Sequence, residues 1–145
     1  MFATGATGPN GPTEVEIYTA TMTGAGETTP TGSTGTGTAV VTLVGGLLSY
    51  RVDVANISSV TRAHIHGPGA AGANGPIRVN FYEPPSGTAG LNFTTSATLV
   101  SGVAPLPSGI SQDSLVVLLR NGNAYANVHT TAFPGGEIRG QFVKK

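Results

Sequence analysis

The sequence predicts an all-β domain, an antiparallel Greek-key-like sandwich or barrel of about eight strands. Short runs rich in β-branched residues recur along the 145-residue chain, and Gly, Pro and Asn turn signals separate them. In the clearest run, over residues 48–54, apolar residues alternate with polar or small ones. This period of two is typical of a strand with one buried and one solvated face.

The elements follow in order along the chain. Residues 1–13 are rich in Gly and Pro and are expected to form a flexible lead-in, whereas residues 14–145 form a single domain. The first strand starts with the alternating run 14–20, and a Gly-, Thr- and Pro-rich loop spans 24–37. The further strand candidates are 38–44, 48–54, 61–66, 76–81, 92–100, 114–120, 124–129 and 137–143.

Two turns and one segment of uncertain type complete this assignment. Gly45-Gly46 predicts a hairpin, because both central positions of a type I′ turn need positive φ. Asn121-Gly122 predicts a second hairpin between two apolar runs. Over 111–119 a helix competes with the strand, since Asp113 could cap it, although the run is short and rich in valine.

Composition excludes several function classes. Seven basic residues balance seven acidic ones, so the chain lacks the basic footprint of a nucleic-acid or anionic-membrane partner. No run approaches the roughly 18 apolar residues of a membrane span. The absence of cysteine excludes disulfides, thiolate metal sites and a cysteine nucleophile.

Low charge also bears on location. Only 10% of residues are charged, which favours an extracellular or periplasmic protein whose signal peptide has been removed; a cytoplasmic location is the alternative. The oligomeric state stays open.

The three histidines are the main chemical resource of the chain. His64 and His66 are two residues apart on a predicted strand, so their side chains share one face with Cβ atoms about 7 Å apart. His129 ends another strand, in which Ala126 and Val128 should face the core. Asn127 and His129 then lie on the opposite face, where Asn127 could orient an imidazole.

The histidines predict a transition-metal site. Three neutral imidazoles without a thiolate suit Cu(II), Zn(II) or Ni(II), and the Irving–Williams order favours copper, with zinc as the alternative. Three protein ligands leave a coordination position open, which is typical of a reactive site rather than a structural one.

Two sequence blocks stand out, AHIHGP at 63–68 and NVHT followed by PGGEIRGQ over 127–141. Together they resemble the CHRD domain, the module named after chordin, and a looser similarity extends over roughly residues 18–143. The resemblance implies an all-β, commonly exported domain. Upstream, residues 26–30 stand where the family tends to have a Glu-Val-Pro-Pro-like turn.

The histidine pattern is also similar to the copper site of copper/zinc superoxide dismutase. By that resemblance His64, His66 and His129 are copper ligands, and Arg139 is the cation that draws superoxide to the metal. The zinc loop and the disulfide of the dismutase have no counterpart here. The resemblance therefore implies at most a copper-only superoxide dismutase acting on a small anion such as superoxide.

Two other functions fit the same residues. One is a zinc hydrolase or hydratase, in which the three histidines hold a zinc-bound water. The other is a non-catalytic extracellular binding module, in which the histidines hydrogen-bond backbone groups and stabilise strand ends. Arg139 could instead pair with a carboxylate and shape the turn, and Glu137 is expected to be structural.

Overall fold

A computed structural model describes residues 15–105 and 110–145 of the protein. They form nine strands, a short 3₁₀ turn over Gly24–Gly26 and one α-helix. The strands are β1 Val15–Thr23, β2 Thr36–Val44, β3 Leu47–Ala55, β4 Ile57–His66, β5 Ile77–Tyr82, β6 Leu91–Phe93, β7 Ala97–Val103, β8 Tyr125–Thr130 and β9 Ile138–Lys144; the helix α1 is Gln112–Arg120.

The strands form one antiparallel sheet that curls into a nearly closed barrel. Its order is β5-β4-β8-β9-β1-β2-β3-β7, and β6 pairs with one end of β4. The predicted all-β antiparallel class is therefore confirmed, and the architecture is the barrel. The two strands nearest the histidines, β4 and β8, are neighbours although some 60 residues separate them in the chain.

The barrel interior holds the core. On β3 the predicted alternation places Leu48, Val52 and Val54 inside, each at most 1% exposed, whereas Tyr50 is only half-buried. The helix α1 adds its own apolar face to the same core. Burying this surface supplies most of the free energy of folding. The other strands contribute inward side chains that include Tyr18, Met22, Val41, Val60, Ile65, Phe81, Ile138 and Phe142.

The strand candidate at 114–120 is wrong and the competing helix over 111–119 is confirmed, because this segment belongs to α1. Ser111 caps the helix by accepting a hydrogen bond from the Ser114 amide, so the cap is not Asp113. Leu115 and Leu119 lie one turn apart and are buried, as helical spacing allows. The hairpin predicted at Asn121-Gly122 is also wrong, since the turn joins a helix to β8.

The remaining differences are local. The Gly45-Gly46 hairpin is confirmed, with φ values of 54° and 86°. The candidate 92–100 is two strands, because β6 pairs with β4 and β7 pairs with β3. The predicted lead-in at 1–13 lies outside the described residues. Within the described part of the chain, no helix is long and apolar enough to span a membrane.

Candidate metal centre

The strand register brings the three histidines to the outer face of the barrel wall. On β4 and β8 the paired residues are His64 with Asn127, His66 with Tyr125, and Arg62 with His129. The residues between them, such as Ile65 and Val128, point into the core. The predicted faces are confirmed: His64 and His66 share one side of β4, and paired residues of adjacent strands share a face.

Two loops bury this outer face. The loop 67–76 follows β4 and places the Gly75 carbonyl against His66, and the loop 131–137 places the Pro134 carbonyl against His129. His64, His66 and His129 are consequently 0%, 9% and 7% exposed. The cluster is therefore enclosed between a rigid sheet and two loops.

The imidazoles converge on one region. His64 Nδ1 lies 3.2 Å from His129 Nε2, and one ring nitrogen from each histidine lies within 4.8 Å of the other two. Two metal bonds of about 2.1 Å span at most about 4.2 Å between ligand nitrogens. The separation of up to 4.8 Å exceeds this limit by about 0.6 Å, so at least one imidazole must move for all three to bind one ion. The predicted clustering of His64, His66 and His129 is thus confirmed.

The outward-facing nitrogens of the three rings are held by acceptors. His64 Nε2 lies 2.7 Å from Glu83 Oε1, His66 Nδ1 lies 2.9 Å from the Gly75 carbonyl, and His129 Nδ1 lies 2.8 Å from the Pro134 carbonyl. Carboxylate and carbonyl oxygens only accept, so these nitrogens carry the protons. Lone pairs are then left on His64 Nδ1, His66 Nε2 and His129 Nε2. Metal-binding histidines have this arrangement, with the second nitrogen donating to a carboxylate or carbonyl.

A proton shared between two rings does not satisfy these lone pairs, because burial disfavours the charged imidazolium. Desolvation lowers the pKa of all three imidazoles, that of His129 to about 4, so the rings are neutral near pH 7. His64 Nδ1 and His129 Nε2 then face each other as two acceptors 3.2 Å apart. His66 Nε2 lies 3.0 Å from the Asn127 amide, which can present either its oxygen or its nitrogen. A single metal ion could accept all three lone pairs together.

Arg139 lies outside the cluster. Its guanidinium stacks 3.5 Å from the centre of the Tyr125 ring, and His66 stacks on the same ring at 4.8 Å. Because β8 lies between β4 and β9, the two groups approach Tyr125 from opposite sides. Arg139 is 2% exposed and donates to the carbonyls of Ala70 and Ala73.

Arg139 therefore fastens the loop 67–76 to the sheet. Its Nη1 also donates to Asn74 Oδ1, so the guanidinium is surrounded by neutral acceptors of that loop. The role predicted for Arg139 in attracting an anion stays a prediction.

Glu137 is structural in the sense expected from the sequence. Its two carboxylate oxygens accept hydrogen bonds from the hydroxyls of Ser33 and Thr130, each at 2.6 Å. The carboxylate is buried and fully engaged, so it ties the loop before β2 to the start of β9.

Sequence reasoning missed Glu83 and Glu27. Glu83 follows β5 and reaches His64 because β5 pairs with β4, a contact that no local pattern reveals. Glu27 carries a buried Oε2 without a hydrogen-bond partner, and burial raises its pKa to about 7. Glu27 belongs to the upstream turn at 26–30, whose residue types alone carried no sign of this burial.

The blocks that carried the family resemblance are the ones that build this centre. The block at 63–68 supplies the end of β4 with two of the histidines, and the block at 127–141 supplies β8, the following loop and β9. The family model for the CHRD domain matches residues 18–142. The chain belongs to the CHRD domain family.

In this CHRD domain, the most distinctive sequence blocks thus meet in space on adjacent strands. No curated protein and no solved structure matched the chain. The similarity of the histidine pattern to a dismutase copper site stays a prediction.

Proposed function

We propose that this CHRD domain binds one copper ion through His64 Nδ1, His66 Nε2 and His129 Nε2 and acts as a superoxide dismutase. The observation that carries the proposal is the convergence of three imidazole lone pairs, each fixed by an acceptor on the far side of its ring. Such preorganisation lowers the cost of ordering the ligands when a metal binds.

The donor set favours copper. Three neutral nitrogens without thiolate or clustered carboxylates suit Cu(II) and Zn(II), and Cu(II) binds more tightly to a given set of nitrogen ligands. A bound copper ion supplies a one-electron couple, which oxidises one superoxide to O₂ and reduces a second, with two protons, to H₂O₂. The protein contributes the fixed ligands, the enclosing loops and an open coordination position.

The surroundings favour electron transfer over hydrolysis. The carboxylates of Glu83 and Glu137 are already engaged, Glu83 with His64 and Glu137 with two hydroxyls. The Glu27 carboxyl group keeps a free Oε2, but among the described residues no hydrogen bond joins it to a histidine. A hydrolase needs a free base or acid beside the metal-bound water. The enclosing loops also favour a reactant of a few atoms, and superoxide has two.

An exported location is part of the proposal. Only 10% of the residues of the chain are charged, and threonine and serine supply many of its polar side chains. Thiols in the reducing cytoplasm compete for copper, so the ion is more accessible to a protein outside it. Localisation of a tagged protein in its native host tests this part independently.

Copper titration followed by electron paramagnetic resonance tests the metal site. We expect one Cu(II) per chain with hyperfine coupling from three imidazole nitrogens, and loss of the signal in His64→Ala. The matched control is Asp113→Asn on α1, which is exposed and shares no hydrogen bond or ion pair with the described residues of the centre. Affinity no tighter than micromolar in the folded wild-type protein would overturn the proposed site.

Superoxide disproportionation tests the activity separately. We expect copper-loaded protein to exceed the same concentration of free copper, and zinc-loaded protein and His129→Ala to be inactive. Tight copper binding without activity would refute the dismutase and support the non-catalytic module with a stabilising metal. Circular dichroism of each variant shows whether a loss reflects unfolding.

A further inference from the structure

Arg62 lies beside the histidine cluster on the same outer face of the sheet. It precedes His64 by two residues on β4 and pairs directly with His129 on β8. Side chains in these two relations lie about 7 Å and about 5 Å apart at Cβ. The guanidinium Nη2 reaches the Pro134 carbonyl at 3.4 Å, the same carbonyl that holds His129.

The charge of Arg62 is available to a ligand, whereas the charges of Arg51 and Arg120 are each neutralised by a carboxylate. Arg51 pairs with Asp53 and Arg120 pairs with Glu16. Within residues 15–105 and 110–145, Arg62 has no carboxylate at ion-pair distance, and the bond to Pro134 is long. It is half-buried, so solvent screens its field less than that of a fully exposed side chain.

Arg62 and Arg139 differ in what lies between each of them and the histidines. Arg62 pairs directly with His129 across β4 and β8, so no other side chain of the sheet stands between them. The Arg139 guanidinium is separated from His66 by the Tyr125 ring and donates to carbonyl oxygens of the loop 67–76. A cation that attracts an anion must present its field to solvent or to the open coordination position.

Arg62 also lines a surface groove of about 280 Å³, which reaches Glu83 but none of the three histidines. The groove lies between β4 and the loop after β5, and its far wall includes Glu83, whose carboxylate contacts His64. The volume accommodates small anions with their hydration water. Its remaining lining residues are Thr61, Pro84, Pro85, Ser86, Gly87 and Thr88.

We propose that Arg62 is the cation that draws small anions to the metal centre, and that the groove beside it is their entrance. This inference rests on the proposed metal site and assigns to Arg62 the role that the dismutase resemblance gives to Arg139. Arg62 acts by guiding the anion, so its charge matters more than its hydrogen-bond geometry. A lysine at this position should therefore retain most of the effect.

The test is azide binding to the copper-loaded protein. Binding is monitored by the changes in the absorption and electron paramagnetic resonance spectra of the copper. At low ionic strength we expect Arg62→Gln to weaken azide binding about 3- to 10-fold, and Arg62→Lys to stay within about 2-fold of wild type. Between 10 and 200 mM salt the wild-type advantage should shrink, because screening shortens the reach of the charge. The matched control is Arg51→Gln, which removes one positive charge from an exposed pair on β3 and should leave azide affinity unchanged.

The outcomes separate the two proposals. Wild-type azide affinity in Arg62→Gln, or a salt dependence that Arg62→Gln retains in full, would overturn the role of Arg62. A loss of azide affinity in Arg139→Gln but not in Arg62→Gln would return the role to Arg139. Copper content is measured on the wild-type protein and on every variant. Failure of the wild-type protein to bind copper refutes the metal site, and the role proposed for Arg62 in guiding anions falls with it. If Arg62→Gln fails to fold, Arg62→Lys tests the inference, because it keeps the charge and should keep the azide affinity and salt dependence of the wild type.

Discussion

Replacing Glu83 should weaken metal binding although Glu83 touches no metal. Its Oε1 lies 2.7 Å from His64 Nε2, and this contact sets which nitrogen of His64 carries the proton. Loss of such a supporting carboxylate typically costs 10- to 100-fold in metal affinity. The Glu83 side chain is 41% exposed, so water partly replaces it. We therefore expect the lower end for Glu83→Ala, about 10-fold or about 1.4 kcal/mol.

A graded series makes this prediction specific. Glu83→Gln keeps an acceptor but loses the charge, and charged acceptors form bonds roughly twice as strong, so about a 3-fold loss is expected. Competition with a chromophoric chelator measures the dissociation constants for Cu(II) and Zn(II), with Asp113→Asn as the control. Equal affinities of wild type, Glu83→Gln and Glu83→Ala would refute the assignment of His64 Nδ1 as the ligand atom.

Three further predictions concern stability and are measured by urea unfolding. Glu27→Gln should raise the free energy of unfolding by up to about 2 kcal/mol at pH 8 and by little at pH 5. The pKa of Glu27 is raised to about 7, so the stability that its protonated carboxyl group provides is fully present below pH 4.5 and is lost as pH rises through 7. Arg120→Ala should cost about 1–2 kcal/mol at pH 7. The hydrogen bonds from Arg120 hold the pKa of Glu16 at about 2, so the stability that they provide is present above pH 4.5 and fades as pH falls towards 2. An equal loss of unfolding free energy at pH 2 and pH 7 would contradict this prediction. Gly140→Ala should cost about 1–3 kcal/mol, since its Cβ would overlap a backbone carbonyl of β1, whereas Gly135→Ala, where the space is open, should be neutral.

Local patterns were sufficient for most strands and insufficient where a neighbour decided the outcome. The alternation over 48–54 predicted β3, because one face of a barrel strand must be apolar. The valine-rich segment at 114–120 predicted a strand by propensity, yet it is helical. Ser111 caps it, and its buried Leu115 and Leu119 face the core at helical spacing, so packing outweighed β propensity.

The sequence by itself determined the all-β class, the family and the shared face of His64 and His66, because side-chain direction along a strand depends only on local geometry. Only the tertiary structure decided what surrounds them. It placed Glu83 on His64, enclosed the cluster with two loops, and set Tyr125 between Arg139 and His66. These contacts join residues far apart in the chain, and their distances follow from strand order and register, which no local spacing encodes.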